Sequence, residues 1–212
     1  MSIDTTDMHA IHRVFRSACR GAPAAFGHAD GKDAVGSFYE TVLGFLHCHH
    51  GAEDALLLPL LIRRCPDQAG LLARMEAQHE AVNAALARAE ALLARWRTDP
   101  GRAVEAELVS AIGVLGAELD AHVDEEEAHV LPLAAEHVSL EEWGAMPGHA
   151  MAHFASDRKW LVIGLVRQQM TESQLAHMTE HMPPPALEAW RTIGSRAFAA
   201  FMESMPAVGK AA

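Results

Sequence analysis

Two near-copies of one motif constrain this chain more than any other feature of its sequence. Both copies read Leu-x-x-His-x-x-x-Glu-(Asp/Glu)-x-x-x-Leu-Pro-Leu, and they cover residues 46–60 and 119–133. Residues four apart lie on the same face of an α-helix, so each copy aims one imidazole and one carboxylate in the same direction. These pairs are His49 with Glu53 and His122 with Glu126. They fall within an apolar stripe, where burial is costly unless something pairs them, and a metal ion would pair both.

The composition and the apolar periodicity predict an all-α protein. Half of the 212 residues are hydrophobic, but only 6% are aromatic and a single Tyr is present, a balance that favours helix over sheet. Apolar residues at helical spacing predict four helices, with starts near residues 4–7, 33 and 71 and after the Thr98-Asp99-Pro100-Gly101 turn. We therefore expect an up-down-up-down four-helix bundle over residues 1–137 and a C-terminal helical extension over residues 138–212.

Glycine and proline mark the expected breaks between these helices. Gly21, Pro23, Gly27 and Gly31 predict that the first helix ends early and that a long connection follows. In the extension, Ser139-x-x-Glu142 and Thr171-x-x-Gln174 match the capping box that opens a helix, and Pro147-Gly148 predicts a break. The extension carries no chemical motif of its own, so we expect it to cap the bundle or to form a dimer surface.

Charge and cysteine content narrow the class of partner and the compartment. The formal net charge of −11 argues against a nucleic-acid or anionic-membrane partner. Three cysteines without a framework spacing indicate a reducing compartment, the cytoplasm. The longest strongly apolar run, residues 160–166, is far shorter than the ~20 residues of a membrane helix. A soluble cytoplasmic protein is expected.

A second internal echo extends the metal-ligand set. Residues 8–12 and 75–79 both read Met-x-Ala-x-His, which suggests that the two helical hairpins are related by an approximate two-fold axis. His12 and His79 then join the two His/Glu pairs to give four imidazoles and two carboxylates. That set suits first-row metals such as Fe, Mn or Zn, and it holds too many donors for one tetrahedral zinc. It suits two ions, each with two histidines and both glutamates bridging.

The same residues resemble the hemerythrin-like (HHE cation-binding) domain family over residues 5–137. The resemblance rests on His12, His49-His50-x-x-Glu53-Asp54, Glu76-x-x-His79 and His122-x-x-x-Glu126-Glu127. It implies a non-haem di-iron centre, bridged by the two carboxylates and an oxo or hydroxo group, that binds or reacts with O2, peroxide or nitric oxide. Asn83 stands where the respiratory carriers of this family have a second histidine.

The resemblance also points to an asymmetry between the two hairpins. In some regulatory members of the family, the residue directly after the second-helix ligand also binds iron, and here that residue is His50. Its counterpart in the second copy is Val123, so a fifth histidine would make the two metals inequivalent. The expected metal ligands are His12, His49, His50, Glu53, His79, His122 and Glu126.

Three functions are compatible with such a centre. The leading expectation is sensing, scavenging or detoxification of O2, peroxide or nitric oxide, because the residue at the Asn83 position leaves coordination open. The alternatives are a di-iron oxidase or peroxidase, and an iron-responsive interaction protein, with a homodimer formed through the C-terminal helices.

The other histidines have plainer interpretations. His9 and His47 fall off the apolar stripe and are expected at the surface, and His129 is expected to pack. His149 and His153 are four apart and could bind metal, but histidines at a helix start after Pro-Gly are more often solvated. Without a metal, the core histidines and glutamates would be interhelical ion pairs, buried at a net cost.

Overall fold

The described chain consists of helices joined by turns, and its N-terminal part forms a four-helix bundle. The computed structural model describes residues 3–27, 31–154 and 158–206. Its α-helices are α1 (Thr6–Phe26), α2 (Lys32–Ala52), α3 (Leu58–Arg64), α4 (Ala69–Thr98), α5 (Arg102–Glu125), α6 (Leu131–His137), α7 (Leu140–His153), α8 (Lys159–Gln168), α9 (Glu172–His181), α10 (Pro184–Ala189) and α11 (Ser195–Ser204). Helices α1, α2, α4 and α5 pack in a closed ring, each against two neighbours. Consecutive helices of this ring run antiparallel, the up-down-up-down arrangement that the sequence predicted.

Each copy of the repeated motif folds into an α-helix that is widened by one π-helical turn. The turns are π1 (Glu53–Leu57) and π2 (Glu126–Val130), and a third, Trp190–Gly194, lies between α10 and α11. In π1 the N–H of Leu58 donates to the carbonyl of Glu53, five residues back, and in π2 that of Leu131 donates to the carbonyl of Glu126. A proline follows each donor, and its ring would clash with the carbonyl four residues before it in a regular helix. Such turns are frequent at functional sites.

Two apolar clusters pack above and below one polar layer. The upper cluster includes Phe15, Leu46 and Val82, and the lower one includes Met8 and Met75. Along α1, His12 lies between Met8 and Phe15, and along α4, His79 lies between Met75 and Val82. The polar layer is therefore enclosed by the core at the middle of the bundle.

The C-terminal helices cover one side of the bundle. Helix α7 packs against α2 and π1, helix α8 packs against α1 and α2, and helix α11 packs against α8. Both predicted capping boxes are present, at Ser139 with Glu142 and at Thr171 with Gln174. Trp143 of α7 belongs to the lower core cluster, so the extension shares that cluster with the bundle. The division into units at residue 137 stays a prediction.

Two expected breaks are wrong. Helix α1 continues through Gly21 and Pro23 to Phe26, which is fully buried with Ala22 beneath it. Burial of these side chains offsets the one backbone hydrogen bond that a late proline removes. The connection to α2 is short and ends at Gly31, whose φ of 82° favours glycine. Helix α7 likewise runs through Pro147 and Gly148 to His153.

All three cysteines are free thiols. In the described ranges, no helix combines the length and the apolar character that crossing a bilayer requires.

Candidate metal centre

The seven expected ligands meet in the buried polar layer. His12 and His79 come from α1 and α4, His49 and His50 from α2, and His122 from α5. The two glutamates are the first residues of π1 and π2. All seven side chains are buried, with His12 completely inaccessible to solvent. Among the described residues, every buried histidine and every buried acidic or basic side chain belongs to this set.

The imidazoles divide into two groups. His12 and His49 have ring centroids 5.3 Å apart. His50 stacks on His79 with centroids 4.4 Å apart, and His122 lies 4.6 Å from His79. Donor atoms of His12, His49 and Glu53 lie within 4.8 Å of one another, and so do those of His50, Glu53, His79 and His122. The described residues thus form a two-histidine group and a three-histidine group that share Glu53.

Both glutamates lie between the two groups. Glu53 places Oε1 3.3 Å from Nε2 of His49 and Oε2 3.5 Å from Nε2 of His79. Oε2 of Glu126 lies 3.2 Å from Nε2 of His12 and 3.6 Å from Nε2 of His122. Each carboxylate therefore faces one histidine of its own helix and one histidine of the other hairpin. This placement is what a bridging ligand requires.

These inner separations fit shared ligation better than direct ion pairing. Two donors that are each about 2.1 Å from one ion, at about 90–110°, lie about 3.0–3.4 Å apart. Outside the layer, Nδ1 of His12 lies 2.8 Å from Oε1 of Glu127, and Nδ1 of His79 lies 2.6 Å from Oδ1 of Asp54. The outer contacts are hydrogen bonds, whereas the inner ones are longer and leave Glu53 and Glu126 without a hydrogen bond.

The acidic residue after each glutamate has a role that the sequence did not reveal. Asp54 follows Glu53 in the first hairpin but bonds His79 of the second, and Glu127 of the second hairpin bonds His12 of the first. Metal-ligating histidines usually donate their other ring N–H to such a partner, which fixes the tautomer. The signal was present in the motif, since both copies carry an acid at this position. Only the packing of the hairpins assigns its partner.

His122 is held differently. Its Nδ1 lies 3.3 Å from Oε1 of Gln78, whose Nε2 donates to Glu125 at 2.8 Å. Arg74 in turn binds Glu125. This chain leads from the layer to the surface of the α4–α5 hairpin, and Gln78 was not singled out from the sequence.

Unpartnered polar atoms concentrate in the layer. Among the described residues, twelve buried side-chain nitrogen or oxygen atoms lack a hydrogen-bond partner, and nine of them belong to the expected ligands. They include both carboxylate oxygens of Glu53 and of Glu126 and both ring nitrogens of His50. Each buried polar atom that is left without any partner lowers the stability of the protein by about 1–3 kcal/mol. Metal ions would satisfy them, so the residues fit a metal centre.

The protonation pattern shows how tightly these groups interact. Burial lowers the pKa of His49 and His50 far below the usual value. For His12, burial also acts to lower the pKa, but Glu126 and Glu127 outweigh it and raise that pKa to about 10. Burial, with the nearby Glu126, raises the pKa of Glu53. The lowered pKa of His50 keeps its ring neutral, the form of imidazole that ligates a metal.

A small cavity opens beside the layer. Its volume is about 10 Å³, room for about one water-sized molecule. Leu57, Leu58, Met75 and Val130 form its apolar wall, and it also borders His79, His122 and both glutamates.

Only some of the histidines outside the layer lie where the sequence predicted them. His47 is exposed, as expected. His9 is half-buried and places Nδ1 3.1 Å from Oε2 of Glu127, so it extends the contact that holds His12. His129 was expected to pack, and this is wrong because its side chain is exposed on π2. His149 and His153 do not start a helix but lie near the end of α7.

The chain belongs to the hemerythrin family. The model of the hemerythrin HHE cation binding domain matches residues 4–134, which span the whole bundle and the polar layer. Membership implies a cation-binding protein, in agreement with the two His/Glu groups. The match stops before α7, so the C-terminal helices lie outside it.

More specific relatives do not emerge. No curated protein and no solved structure matches the chain.

Proposed function

We propose that the polar layer holds two iron ions and that the protein binds or reacts with O2, peroxide or nitric oxide in sensing, scavenging or detoxification. The observation that carries this proposal is the position of two carboxylates, Glu53 and Glu126. Each places its oxygens 3.2–3.6 Å from the Nε2 atoms of two histidines, one from each hairpin. Imidazole with carboxylate suits iron, and bundle cores are a familiar location for dinuclear carboxylate centres. Bound iron supplies electrons and open coordination for a small ligand.

The chain's own residues divide the work. His12 and His49 would hold one ion, His50, His79 and His122 the other, with the two glutamates between them. Asp54 and Glu127 orient His79 and His12 by accepting from Nδ1, and so aim Nε2 into the layer. The unequal histidine numbers support inequivalent metals. His50 as a ligand rests on its neutral, unpartnered ring in contact with His79 and His122.

The enclosed position of the layer limits the ligand. The cavity has room for about one water-sized molecule, and apolar side chains line the part of its wall that the expected ligands do not. A site this small favours O2, nitric oxide or peroxide over larger substrates. The reducing compartment predicted from the cysteines, the cytoplasm, would keep the iron reduced and available.

Metal stoichiometry with an optical spectrum of the aerobically purified protein tests the proposal. We expect about two irons per chain, as the donor set requires, and a near-ultraviolet absorption typical of oxygen-bridged iron. Glu53→Ala should abolish this signal, whereas Glu76→Ala, on the exposed face of α4, should keep it. A single zinc per chain, or an unchanged iron content in Glu53→Ala, contradicts the proposal.

Turnover separates the candidate activities. Steady-state consumption of peroxide that is lost in Glu53→Ala would indicate a peroxidase, and a ligand adduct without turnover would indicate a sensor. A stable, reversible O2 adduct would instead indicate a carrier.

An iron-responsive interaction protein is the second candidate, favoured by the contacts between α7 and π1. Because π1 begins with Glu53, metal binding would act directly on the segment against which α7 packs. Metal-dependent change in oligomeric state, with no redox turnover, would support this function and a homodimer through the C-terminal helices.

A further inference from the structure

Two histidine pairs of the C-terminal helices share one geometry. His149 and His153 lie in α7 with ring centroids 4.4 Å apart, and His177 and His181 lie in α9 with centroids 4.2 Å apart. The planes of the two rings differ by 34° in the first pair and by 36° in the second. Both pairs lie outside the residues that the family model matches. They are therefore separate from the seven expected ligands of the bundle.

The second histidine of each pair is fixed in the tautomer that a metal ligand needs. Nδ1 of His153 lies 2.9 Å from the carbonyl oxygen of His149, and Nδ1 of His181 lies 2.9 Å from that of His177. Since a carbonyl only accepts, Nδ1 carries the proton and the lone pair is on Nε2. A histidine that ligates through Nε2 usually donates its other N–H in this way.

The position of each pair within its helix also favours a cation. His153 and His181 are the last residues of α7 and α9, where the helix dipole presents its negative end. His153, His177 and His181 are exposed and His149 is half-buried, so solvent water can complete the coordination of an ion.

We propose that these pairs form two surface bis-imidazole sites, each holding one borderline divalent transition-metal ion such as Cu²⁺, Ni²⁺ or Zn²⁺. Neutral imidazoles suit these ions, and Cu²⁺ binds most tightly of the three. Because α7 continues through Pro147 and Gly148, the first pair lies at the C-terminal end of a helix and not at the start of one.

The proposal is tested by titrating the as-purified full-length protein with Cu²⁺. Calorimetry measures the number of ions bound, and electron paramagnetic resonance identifies their ligands. We expect about two equivalents bound beyond the resident metal, with a spectrum of nitrogen-ligated copper. His149→Gln, His153→Gln and the double variant should each remove the same equivalent, since one imidazole alone binds at least about tenfold more weakly. His177→Gln and His181→Gln should remove the other equivalent.

Two controls separate chelation from binding by isolated histidines. His137→Gln removes a lone exposed histidine and should keep both equivalents. Ala176→His combined with His177→Gln keeps the number of histidines in α9 but places them five apart, about 140° around the helix, and should lose the site.

Three outcomes overturn the proposal: no uptake beyond the resident metal, a single variant that loses only half of what the double variant loses, or full binding by the out-of-register variant. The resident metal content, measured before and after titration, shows that the bundle site is undisturbed. Failure of the di-iron proposal leaves the surface pairs intact, so the two results are distinguishable.

Discussion

The two helical hairpins carry the same motif but meet different neighbours. In both, a glutamate opens a π turn and a Leu-Pro step follows it. Their contacts are symmetric, because an acidic residue of each hairpin forms a hydrogen bond with a metal-facing histidine of the other hairpin. The first hairpin adds His50 to the layer, where the second has Val123. It also packs against the C-terminal helices, which lie on α1, α2 and π1.

This difference separates what builds the centre from what could regulate it. The shared residues provide a symmetric set of donors and their supports. The unshared ones, His50 and the surface that α7 covers, lie on one hairpin only. The contacts of α7 with α2 and π1 would couple the metal to the C-terminal helices through the first hairpin, and exchanging residues between the hairpins measures each contribution.

The methionines of the second echo give the largest expected effect. Met8 and Met75 occupy matching positions and both are buried. Met8→Ala and Met75→Ala should each lower the free energy of unfolding of the metal-free protein by about 3 kcal/mol, through lost burial and a new cavity. Denaturant titration measures both losses.

Only Met75 borders the cavity beside the layer. Met75→Ala should therefore also change the rate at which nitric oxide binds the iron-loaded protein, and Met8→Ala should not. Equal changes in that rate in the two variants would contradict the placement of the ligand beside Met75.

His50→Val places in the first hairpin the residue that the second hairpin has at this position. It should stabilise the metal-free protein but weaken metal binding. In the metal-free protein it removes two unpartnered buried nitrogens and should raise the free energy of unfolding by about 1–3 kcal/mol. In the loaded protein it should weaken one metal by about 100-fold, equivalent to about 2.7 kcal/mol.

Thermal unfolding with and without metal, together with competitive metal titration, checks both signs. The reciprocal change, Val123→His, adds volume to a fully buried position and should destabilise both states. If His50→Val left metal affinity unchanged, His50 would be excluded as a ligand.

The exchanged acids should contribute less. Glu127→Gln and Asp54→Asn each replace the charged acceptor of one histidine with a neutral amide, and we expect metal affinity to fall about tenfold in each case. Glu127 is less exposed than Asp54, so its loss should be the larger. Glu76→Gln, on the solvent face of α4, serves as the control, and an equal effect there would assign the loss to general electrostatics.

The contact between Arg64 and the extension should give the smallest effect and a pH dependence. Arg64 binds both carboxylate oxygens of Glu142 at 2.7–2.8 Å. This contact, together with the hydrogen bonds between Glu142 and Ser139, lowers the pKa of Glu142 to about 2. A lowered carboxyl pKa adds stability above the ordinary value, which is lost as the pH falls from about 4.5 towards 2. In the repeated motif, Arg64 corresponds to His137.

Arg64→His makes the two hairpins alike at this position. The stability difference between this variant and the original protein should be largest near pH 7, where the introduced histidine is mostly neutral. It should shrink at lower pH, first as that histidine becomes protonated and then as Glu142 becomes protonated in both proteins. Chemical unfolding from pH 3 to 7 measures the difference. A difference that grows on acidification would contradict the role of this pair.

Much of the fold could be predicted because its signals are local. The spacing of Leu46, His49 and Glu53 defines a helix face without reference to the rest of the chain. Capping boxes at Ser139 and Thr171 were likewise readable and are present. The breaks predicted at Pro23 and Pro147 were wrong, because burial of the surrounding side chains outweighs the low helix propensity of proline. That burial exists only in the packed chain.

The sequence by itself determined the class of this protein: two echoed hairpins, a bundle, and a core set of imidazoles and carboxylates. Which donors face one another was decided by the tertiary structure. The partners Asp54 with His79 and Glu127 with His12 lie 25 and 115 residues apart and on different helices. Helix periodicity gives the direction of a side chain, but its distance to another helix depends on how the whole core packs.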